Sequence, residues 1–369
     1  MKTKKIRWGI LSTAQIGRKI WQAIHRSGNG IVVAVASRGQ ERAQKYIDEC
    51  QAEISFAKTP RAVGRYEELI TADDIDALYI PLPTGLRKPW VIRAAEAGKH
   101  VLCEKPCAVT VADLKKMIAA CRRNRVQFMD GVMFMHTKRL QKMRTVLDDG
   151  KSIGKVRHIS TAFQFNSDKE FYRANIRTDA RLEPAGCLGD QGWYCIRIAL
   201  WAMKWQLPER VSGRILTSVT KPQGKKPVPT EFSGQLFFPG GAITDFYCSF
   251  GTALEQRANI SGTKGYLSFD DYVLPFAGNE LAFATGSMDY KFVGCDAYMV
   301  PNLRQWKIRE HGNSAADSQE VNMIRNFTRQ AQSGQLDKFW PEVALKTQQV
   351  LNACLQSADA DGKLIKLSR

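Results

Sequence analysis

Through the first 133 residues, short continuous apolar runs alternate with helix-period segments, and this alternation restricts the fold more than any other feature. Ile6-Arg7-Trp8-Gly9-Ile10-Leu11 reads as a strand, and Gln15 to Arg26 repeats apolar residues at Ile16, Ile20 and Ile24, one face of a helix. Ile31 to Ala36 is an unbroken apolar run suited to a strand covered on both faces, followed by a helical Glu41 to Cys50. Tyr66 to Thr71 then reads as helix, Ala77 to Ile80 as strand, Lys88 to Ala97 as a helix closed by Gly98, and His100 to Cys103 as strand. Thr110 caps a further helix with Leu114, Ile118 and Cys121 on one side, and Val126 to Met133 is the next strand. Strands buried on both faces and joined by crossover helices form a parallel sheet, so residues 1–133 are expected to make a doubly wound α/β domain of five or six strands.

Beyond Phe134 the period changes. A helix from His136 to Asp149 leads into alternating runs at Val156 to Phe165, Phe232 to Phe238, Ala242 to Phe250 and Ala258 to Phe269. Pro239-Gly240-Gly241 and Gly262-Thr263-Lys264-Gly265 are turn signals between neighbouring runs, and helices return at Gln319 to Gln332 and Pro341 to Ala360. Residues 134–369 are therefore expected to form a C-terminal α+β domain with a large, mostly antiparallel open sheet. Lys221 to Pro229, with three prolines and three lysines, reads as an exposed loop. Apolar alternation along several strands would leave one broad sheet face uncovered, which predicts a homo-oligomer, dimer or tetramer, closed through that face.

A length of 369 residues exceeds what one core usually organises, in keeping with two domains. No apolar run approaches a membrane span, and the basic Met1-Lys2-Thr3-Lys4-Lys5 leads straight into Ile6-Arg7-Trp8-Gly9 rather than a signal region, so a cytoplasmic protein is expected. Nine scattered cysteines without a C-x-x-C pair, beside only five histidines, read as reduced buried thiols, with no metal site expected. The net charge of +18 would attract any polyanion, yet it is spread over clusters such as Arg122-Arg123-Asn124-Arg125, Lys138-Arg139 and Lys225-Lys226. Without zinc-finger spacing or an interleaved aromatic platform these are solvated faces, and no nucleic-acid partner is expected.

In a doubly wound sheet, ligands meet the residues that follow the strands. The first strand runs into Ser12-Thr13-Ala14-Gln15-Ile16-Gly17, in which Ser12 and Ala14 stand at the first two glycine positions of a G-x-G-x-x-G turn and only Gly17 remains. Small residues still let the backbone approach a pyrophosphate, and the two hydroxyls add donors. The second strand ends in Ser37-Arg38 where an acidic residue would hold a ribose diol; an arginine fits a 2′-phosphate and favours NADP, with NAD as the alternative. His100 to Cys103 ends in Glu104-Lys105-Pro106, which puts a lysine at the sheet's ligand edge. Taken alone, such a Glu-Lys pair is more often a solvated surface ion pair.

Together with Ala34-Val35-Ala36-Ser37-Arg38, Tyr66-Glu67-Glu68-Leu69, Ala97-Gly98-Lys99-His100-Val101-Leu102-Cys103-Glu104-Lys105-Pro106 and Gly186-Cys187-Leu188-Gly189-Asp190-Gln191-Gly192-Trp193-Tyr194, these features are specific. Over nearly its whole length the chain resembles the glucose-fructose oxidoreductase, inositol dehydrogenase and MocA-like (Gfo/Idh/MocA) oxidoreductases. Asn175-Ile176-Arg177 is similar to the branch containing sugar oxidoreductases, xylose dehydrogenases and dihydrodiol dehydrogenases. The Pro184-Ala185-Gly186-Cys187 stretch departs from that family's Gly-Gly lead-in. The resemblance implies a Rossmann domain that binds cofactor through Ser12, Thr13, Ala14, Gln15, Ile16, Ser37, Arg38, Pro81, Thr84, Glu104 and Lys105, and a second domain that binds substrate and makes the oligomer. It also implies Lys105, Asp190 and Tyr194 as the catalytic set.

Residue chemistry agrees with that set. Asp190 and Tyr194, four apart on a helix beginning near Gly186, would project from one face. Removing a hydride from an alcohol carbon requires the hydroxyl proton to leave, and a tyrosine takes it at neutral pH only if a cation such as Lys105 lowers its pKa. Tyr194 is thus expected to carry the proton, Lys105 to polarise the oxygen, and Asp190 to accept a substrate hydroxyl or orient Lys105. His136, Arg177 and Trp193 are weaker substrate candidates: a loop arginine is more often a structural clamp, the histidine reads at least as well as structural, and the tryptophan would either wall the pocket or fill the core. The expected activity is NADP-dependent hydride transfer at a hydroxyl or carbonyl carbon of a sugar or polyol. The alternatives are a trans-dihydrodiol dehydrogenase-type enzyme acting on cyclic diols and an NADP-responsive regulator without turnover.

Overall fold

In the computed structural model, which describes residues 5–222, 224 and 226–367, the chain forms two compact units. The first runs to His136 and takes in Arg181–Glu183 and Asn313–Gln348; the second comprises Thr137–Ala180, Pro184–Gly312 and the chain from Gln349 onward. Later segments that the sequence division at 133 assigned elsewhere therefore complete the first unit. The physical reason is visible at Arg325, whose Nε donates to the Ser27 carbonyl at 3.0 Å, and at Asn326, whose amide meets His136 Nδ1 at 2.9 Å.

The first unit alternates β1 (Ile6–Leu11), α1 (Ile16–Ser27), β2 (Gly30–Ala36), α2 (Gln40–Glu53), β3 (Arg61–Val63), α3 (Tyr66–Thr71), β4 (Ala77–Ile80), α4 (Thr84–Glu96), β5 (His100–Cys103), α5 (Val111–Arg123) and β6 (Phe128–Asp130). A 3-10 turn, Met133–His136, follows. The six strands are ordered β3-β2-β1-β4-β5-β6, and their paired neighbours run parallel. All four residues of β4 are fully buried, as a strand covered on both faces requires. Thr110 Oγ1 accepts the Asp113 amide at 3.1 Å, the cap expected for α5. The winding direction reverses between β1 and β4, so a crevice is expected outside the carboxyl ends of those two strands.

The second unit contains α6 (Lys138–Asp148), β7 (Val156–Asn166), α7 (Lys169–Ala174), a π-helical turn (Leu188–Gly192) and α8 (Trp193–Ala202). Then come β8 (Arg210–Val219), β9 (Val228–Phe237), β10 (Ile243–Ser249), β11 (Gly251–Gly262), β12 (Tyr266–Phe269), β13 (Glu280–Val293) and β14 (Asp296–Arg309). α9 (Gln319–Gln332) belongs to the first unit, α10 (Phe339–Asp359) contributes residues to both, and β15 (Ile365–Lys366) ends the series. The nine-stranded sheet, ordered β14-β13-β12-β11-β7-β10-β9-β8-β15, is antiparallel except where β7 pairs β10. β8, the β13–β14 hairpin and β15 are strands the sequence reading missed, as is β3 in the first unit. The expected loop over Lys221 to Pro229 ends early, because Val228 and Pro229 are buried in β9, where Pro229 sits opposite Ser218. Gln223 and Lys225 of that stretch, like Met1 to Lys4, lie outside the described residues.

Helix α8 packs on β7 and β10, covering a sheet face that includes Ile159, Phe163, Phe246 and Cys248. The opposite face is polar rather than apolar: His158 Nε2 and Asp245 Oδ2 lie 2.7 Å apart, Gln235 donates to Asp245 at 2.6 Å, and Gln164 donates to Glu255 at 3.0 Å. Exposed apolar surface gathers instead on the outer half of the β13–β14 hairpin. The cross-strand pairs Met288–Pro301, Tyr290–Met299 and Phe292–Ala297 share one face, and Tyr290 and Phe292 are 62% and 69% exposed. No helix among the described residues is long and apolar enough to cross a membrane.

Beside the hairpin's inner half, the buried Arg139 guanidinium reaches the Asp271 carboxylate, the Asp271 carbonyl at 2.9 Å and the Ala282 carbonyl at 3.1 Å. The carboxylate of Glu310, which accepts the Arg139 amide at 3.3 Å, is pushed up to about 7 by burial, its hydrogen bonds only partly opposing this. A carboxyl whose folded pKa lies above its unfolded value holds extra protons in the native state, so it stabilises least once both forms have ionised. Between about pH 4.5 and 7, stability contributed by Glu310 should fall as pH rises. Urea denaturation across this range should show a flatter profile and a more stable protein near pH 8 for Glu310→Gln; an unchanged slope would remove Glu310 as the source.

Candidate functional site

The carboxyl ends of β4 and β5 are held together by a side chain that the sequence reading passed over. Arg87 on α4 is 2% exposed; its Nε donates to the Leu82 carbonyl at 3.0 Å and its Nη1 to the Glu104 carbonyl at 2.7 Å, while both terminal nitrogens make further bonds to the Pro106 and Leu82 carbonyls. A guanidinium pays for burial only when its donors are met, and here three carbonyls from two strand exits meet them. The turn that carries Lys105 is thereby pinned on both sides, with a cis Lys105–Pro106 peptide and a half-buried lysine.

Glu104 supports the turn from below. Its carboxylate accepts the Tyr79 hydroxyl at 2.6 Å and the Lys105 amide at 3.1 Å, and burial raises its pKa against the opposing pull of Tyr79 and Lys105. The side chain is 7% exposed and props the turn from within the protein. Pro81 is also buried. Thr84 opens α4, and its hydroxyl donates to Glu183 Oε2 at 2.6 Å, which leaves the oxygen to act as an acceptor.

At the end of β1, Ser12 adopts φ 136°, a conformation that favours glycine, at the position where the dinucleotide fingerprint would place its first one. Its hydroxyl accepts the Ala14 amide at 3.3 Å, and Gly17 donates to the Ala14 carbonyl at 2.9 Å. A β-carbon on Gly17 would come within 2.6 Å of the Tyr46 hydroxyl, so this glycine is the one that lets α1 pack closely. Gln15 and Ile16 lie exposed at the entry to α1. Beyond β2, Ser37 is buried and donates its amide to Val63 at 3.0 Å, whereas Arg38 is exposed. Arg42, unforeseen in the sequence, donates to Thr13 Oγ1 at 2.9 Å and so spans the first and second strand exits. Burial raises the pKa of Tyr66, and both Arg38 and Arg42 oppose that rise, which puts two guanidinium groups near one tyrosine at this edge.

In the second unit, Arg177 Nε donates to Asp190 Oδ2 at 2.8 Å. Asp190 lies inside the π-helical turn and Tyr194 is the second residue of α8, so the pair does not share the regular α-helical register that a four-residue spacing implies. π turns concentrate at functional sites because the widened turn re-aims its side chains. The Tyr194 ring meets Phe163 edge-on at 5.7 Å, half-buried. Trp193 is fully buried with the Arg197 guanidinium 5.7 Å from its ring, which places it in the packing of α8 rather than on a pocket wall. In the first unit, His136 is buried, stacked on Trp340 at 4.4 Å and bonded to Asn326, an arrangement that fits structure better than substrate contact.

Residues 6–132 match the family described as "Oxidoreductase family, NAD-binding Rossmann fold", and residues 140–268 match the "GFO/IDH/MocA C-terminal domain". The chain is 32% identical to the trans-1,2-dihydrobenzene-1,2-diol dehydrogenase of Mus musculus over 312 residues, which cover 81% of this chain and 87% of that one. It is 31% identical to the D-xylose 1-dehydrogenase (NADP(+)) 2 of Haloferax volcanii, over 75% of this chain and 80% of that one. Among solved structures it has the fold of an aldose-aldose oxidoreductase from Caulobacter crescentus complexed with glycerol, with TM-score 0.79, 23% identity and coverage of 99% and 100%. A 3-ketoreductase from Actinomadura kijaniata, solved with NADP and TDP-benzene, superposes with TM-score 0.77 at 23% identity, covering 96% of this chain and 98% of that one. With both of its regions matched by that family's models and relatives at 31–32% identity along most of its length, the chain belongs to the Gfo/Idh/MocA family of oxidoreductases.

Proposed function

We propose that this oxidoreductase uses NADP to move a hydride at a hydroxyl-bearing carbon of a sugar, related polyol or cyclic diol. The observation that carries the reading is Lys105, fixed at the carboxyl end of β5 on a backbone that Arg87 and Glu104 hold from both sides. The β1 turn suits a pyrophosphate, because the glycine-like Ser12 conformation lets the backbone come close. Arg38 and Arg42 suit a 2′-phosphate, each by a bidentate fork. Bound NADP supplies the acceptor or donor of the hydride pair. Tyr194 takes the substrate hydroxyl proton as the carbon is oxidised and returns it when a carbonyl is reduced. Lys105 polarises the same oxygen, and Asp190, with one carboxylate oxygen on Arg177, accepts a neighbouring substrate hydroxyl. Nine unpaired cysteines, eight of them buried, support a reducing, cytoplasmic setting.

The relatives named as sugar and dihydrodiol dehydrogenases support this substrate range without choosing within it. A spectrophotometric screen of sugars, polyols and cyclic diols with each nicotinamide cofactor tests turnover, cofactor and substrate class together. NADPH should bind more tightly than NADH in a fluorescence titration. Arg38→Asp should weaken NADPH while leaving NADH nearly unchanged, and equal losses would sink the 2′-phosphate assignment.

On a substrate found by the screen, Lys105→Met and Tyr194→Phe should each cut turnover by at least about a hundredfold, the scale of a positioned acid or base. Their double mutant should be little worse, since groups acting on one oxygen are not additive. The alkaline limb of the oxidation profile should vanish in Tyr194→Phe. Near-normal turnover of that variant would move the proton to another carrier.

The chain is further read as a homo-oligomer, with the apolar face of the β13–β14 arm meeting a second copy in place of the polar sheet face. Six residues of that face, two of them aromatic, expose on the order of 500 Å² per copy, a substantial part of the roughly 800 Å² per partner typical of a stable interface. Phe292→Lys should convert the assembly to monomers in light scattering at micromolar concentration. A wild-type monomer under the same conditions would reject this contact.

A further inference from the structure

The segment Arg181-Leu182-Glu183 belongs to the first unit although its sequence neighbours on both sides belong to the second. It lies against the N-terminus of α4. The Gly85 amide donates to the Leu182 carbonyl at 2.8 Å, the Thr84 amide to Glu183 Oε1 at 2.9 Å, and the Thr84 hydroxyl to Glu183 Oε2 at 2.6 Å. The first amides of a helix have no partner within it, and α4 is preceded by Pro83, which has no side-chain acceptor to offer them. The missing cap is supplied from 99 residues away. A carboxylate in that place also gains from the helix dipole. Only glycine fits at position 85, since a β-carbon there would lie 1.9 Å from the Arg181 carbonyl oxygen.

This cap connects directly to the lysine turn. Thr84 Oγ1 lies 3.3 Å from the Pro106 carbonyl, the same oxygen that Arg87 reaches, and Arg87 also holds the carbonyl of Glu104. A hydroxyl has one proton, and the short charge-assisted bond to Glu183 claims it. The Thr84 oxygen is therefore fixed as an acceptor, at the exit of β4 beside the reversal of the sheet.

We propose that Glu183 is a positioning residue for this site: its carboxylate caps α4 and sets the Thr84 hydroxyl as the acceptor for the carboxamide N–H of a bound nicotinamide. The assignment rests on the reading of this crevice as the nicotinamide site. Glu183 also excludes free anions from the α4 N-terminus, because it already fills the place where one would sit.

The test compares NADP with its 3-acetylpyridine analogue, whose acetyl group keeps the acceptor oxygen but has no N–H to donate. In the full chain, Glu183→Ala should weaken NADP about tenfold, the scale of one hydrogen bond, and leave the analogue unchanged. Sodium formate, as a small carboxylate, should restore much of the lost NADP affinity and not alter the analogue. Glu183→Gln, which keeps the shape of the cap, should show a smaller loss with the same selectivity, and it decides the matter if the alanine variant does not fold. Equal weakening of both cofactors, or no weakening of either, overturns the proposal. Failure of the wild-type protein to bind any nicotinamide cofactor would instead overturn the functional reading beneath it, so the two failures are distinct.

Discussion

The buried Arg87 guanidinium is the interaction on which the strand exits around Lys105 depend. It gathers the carbonyls of Leu82, Glu104 and Pro106, and so joins the exits of two neighbouring parallel strands. Parallel strands pair only along their length, and nothing in the ladder fixes the chains beyond it. A charged fork with five donors can do so, provided the surroundings are made of acceptors. Its charge is also felt by the buried Glu104 carboxylate, which it helps hold below the value burial alone would give. Hydrogen bonds in such a low-dielectric setting are stronger than in water, and an unmet one costs correspondingly more.

The parallel sheet was legible because apolar runs and helix-period segments alternate through most of residues 1–133, with only the three-residue β3 unread, and each strand end then located a residue at the sheet's carboxyl edge. Ser12, Arg38 and Lys105 could be placed in this way from order alone. Arg87, Arg42 and Glu183 could not. Arg87 falls just before the helix read from Lys88 and is one more basic residue until the carbonyls around it are seen. Arg42 touches Thr13 across 29 residues and Glu183 touches Thr84 across 99, and pairings of that kind leave no local pattern. The beginning of α4 was misplaced for a related reason: Pro89 reads as a first-turn residue, whereas the helix starts at Thr84, where a distant carboxylate caps it.

In the second unit, alternation identified strands but not which face would be wet. His158, Gln235 and Asp245 satisfy one another across three adjacent strands, a cross-strand property that no single strand displays. The outer hairpin did carry a local signal, since Met288, Tyr290 and Phe292 alternate with Asp289 and Lys291, and that period-2 pattern was passed over. The π turn is silent in sequence. One inserted residue's worth of helix changes which neighbours Asp190 meets, and Arg177 is the partner it finds.

Ser12 carries a consequence for the order in which this edge acquires its shape. An L-residue held at φ 136° costs of the order of 1–3 kcal/mol and persists only where its surroundings over-determine it. The turn after β1 therefore draws its geometry from the sheet beneath it. Strain of this kind draws on the stability of the strands around it, so on warming this turn is expected to loosen before β1 and β4 open. The shape of this strand exit is a dependent of the core.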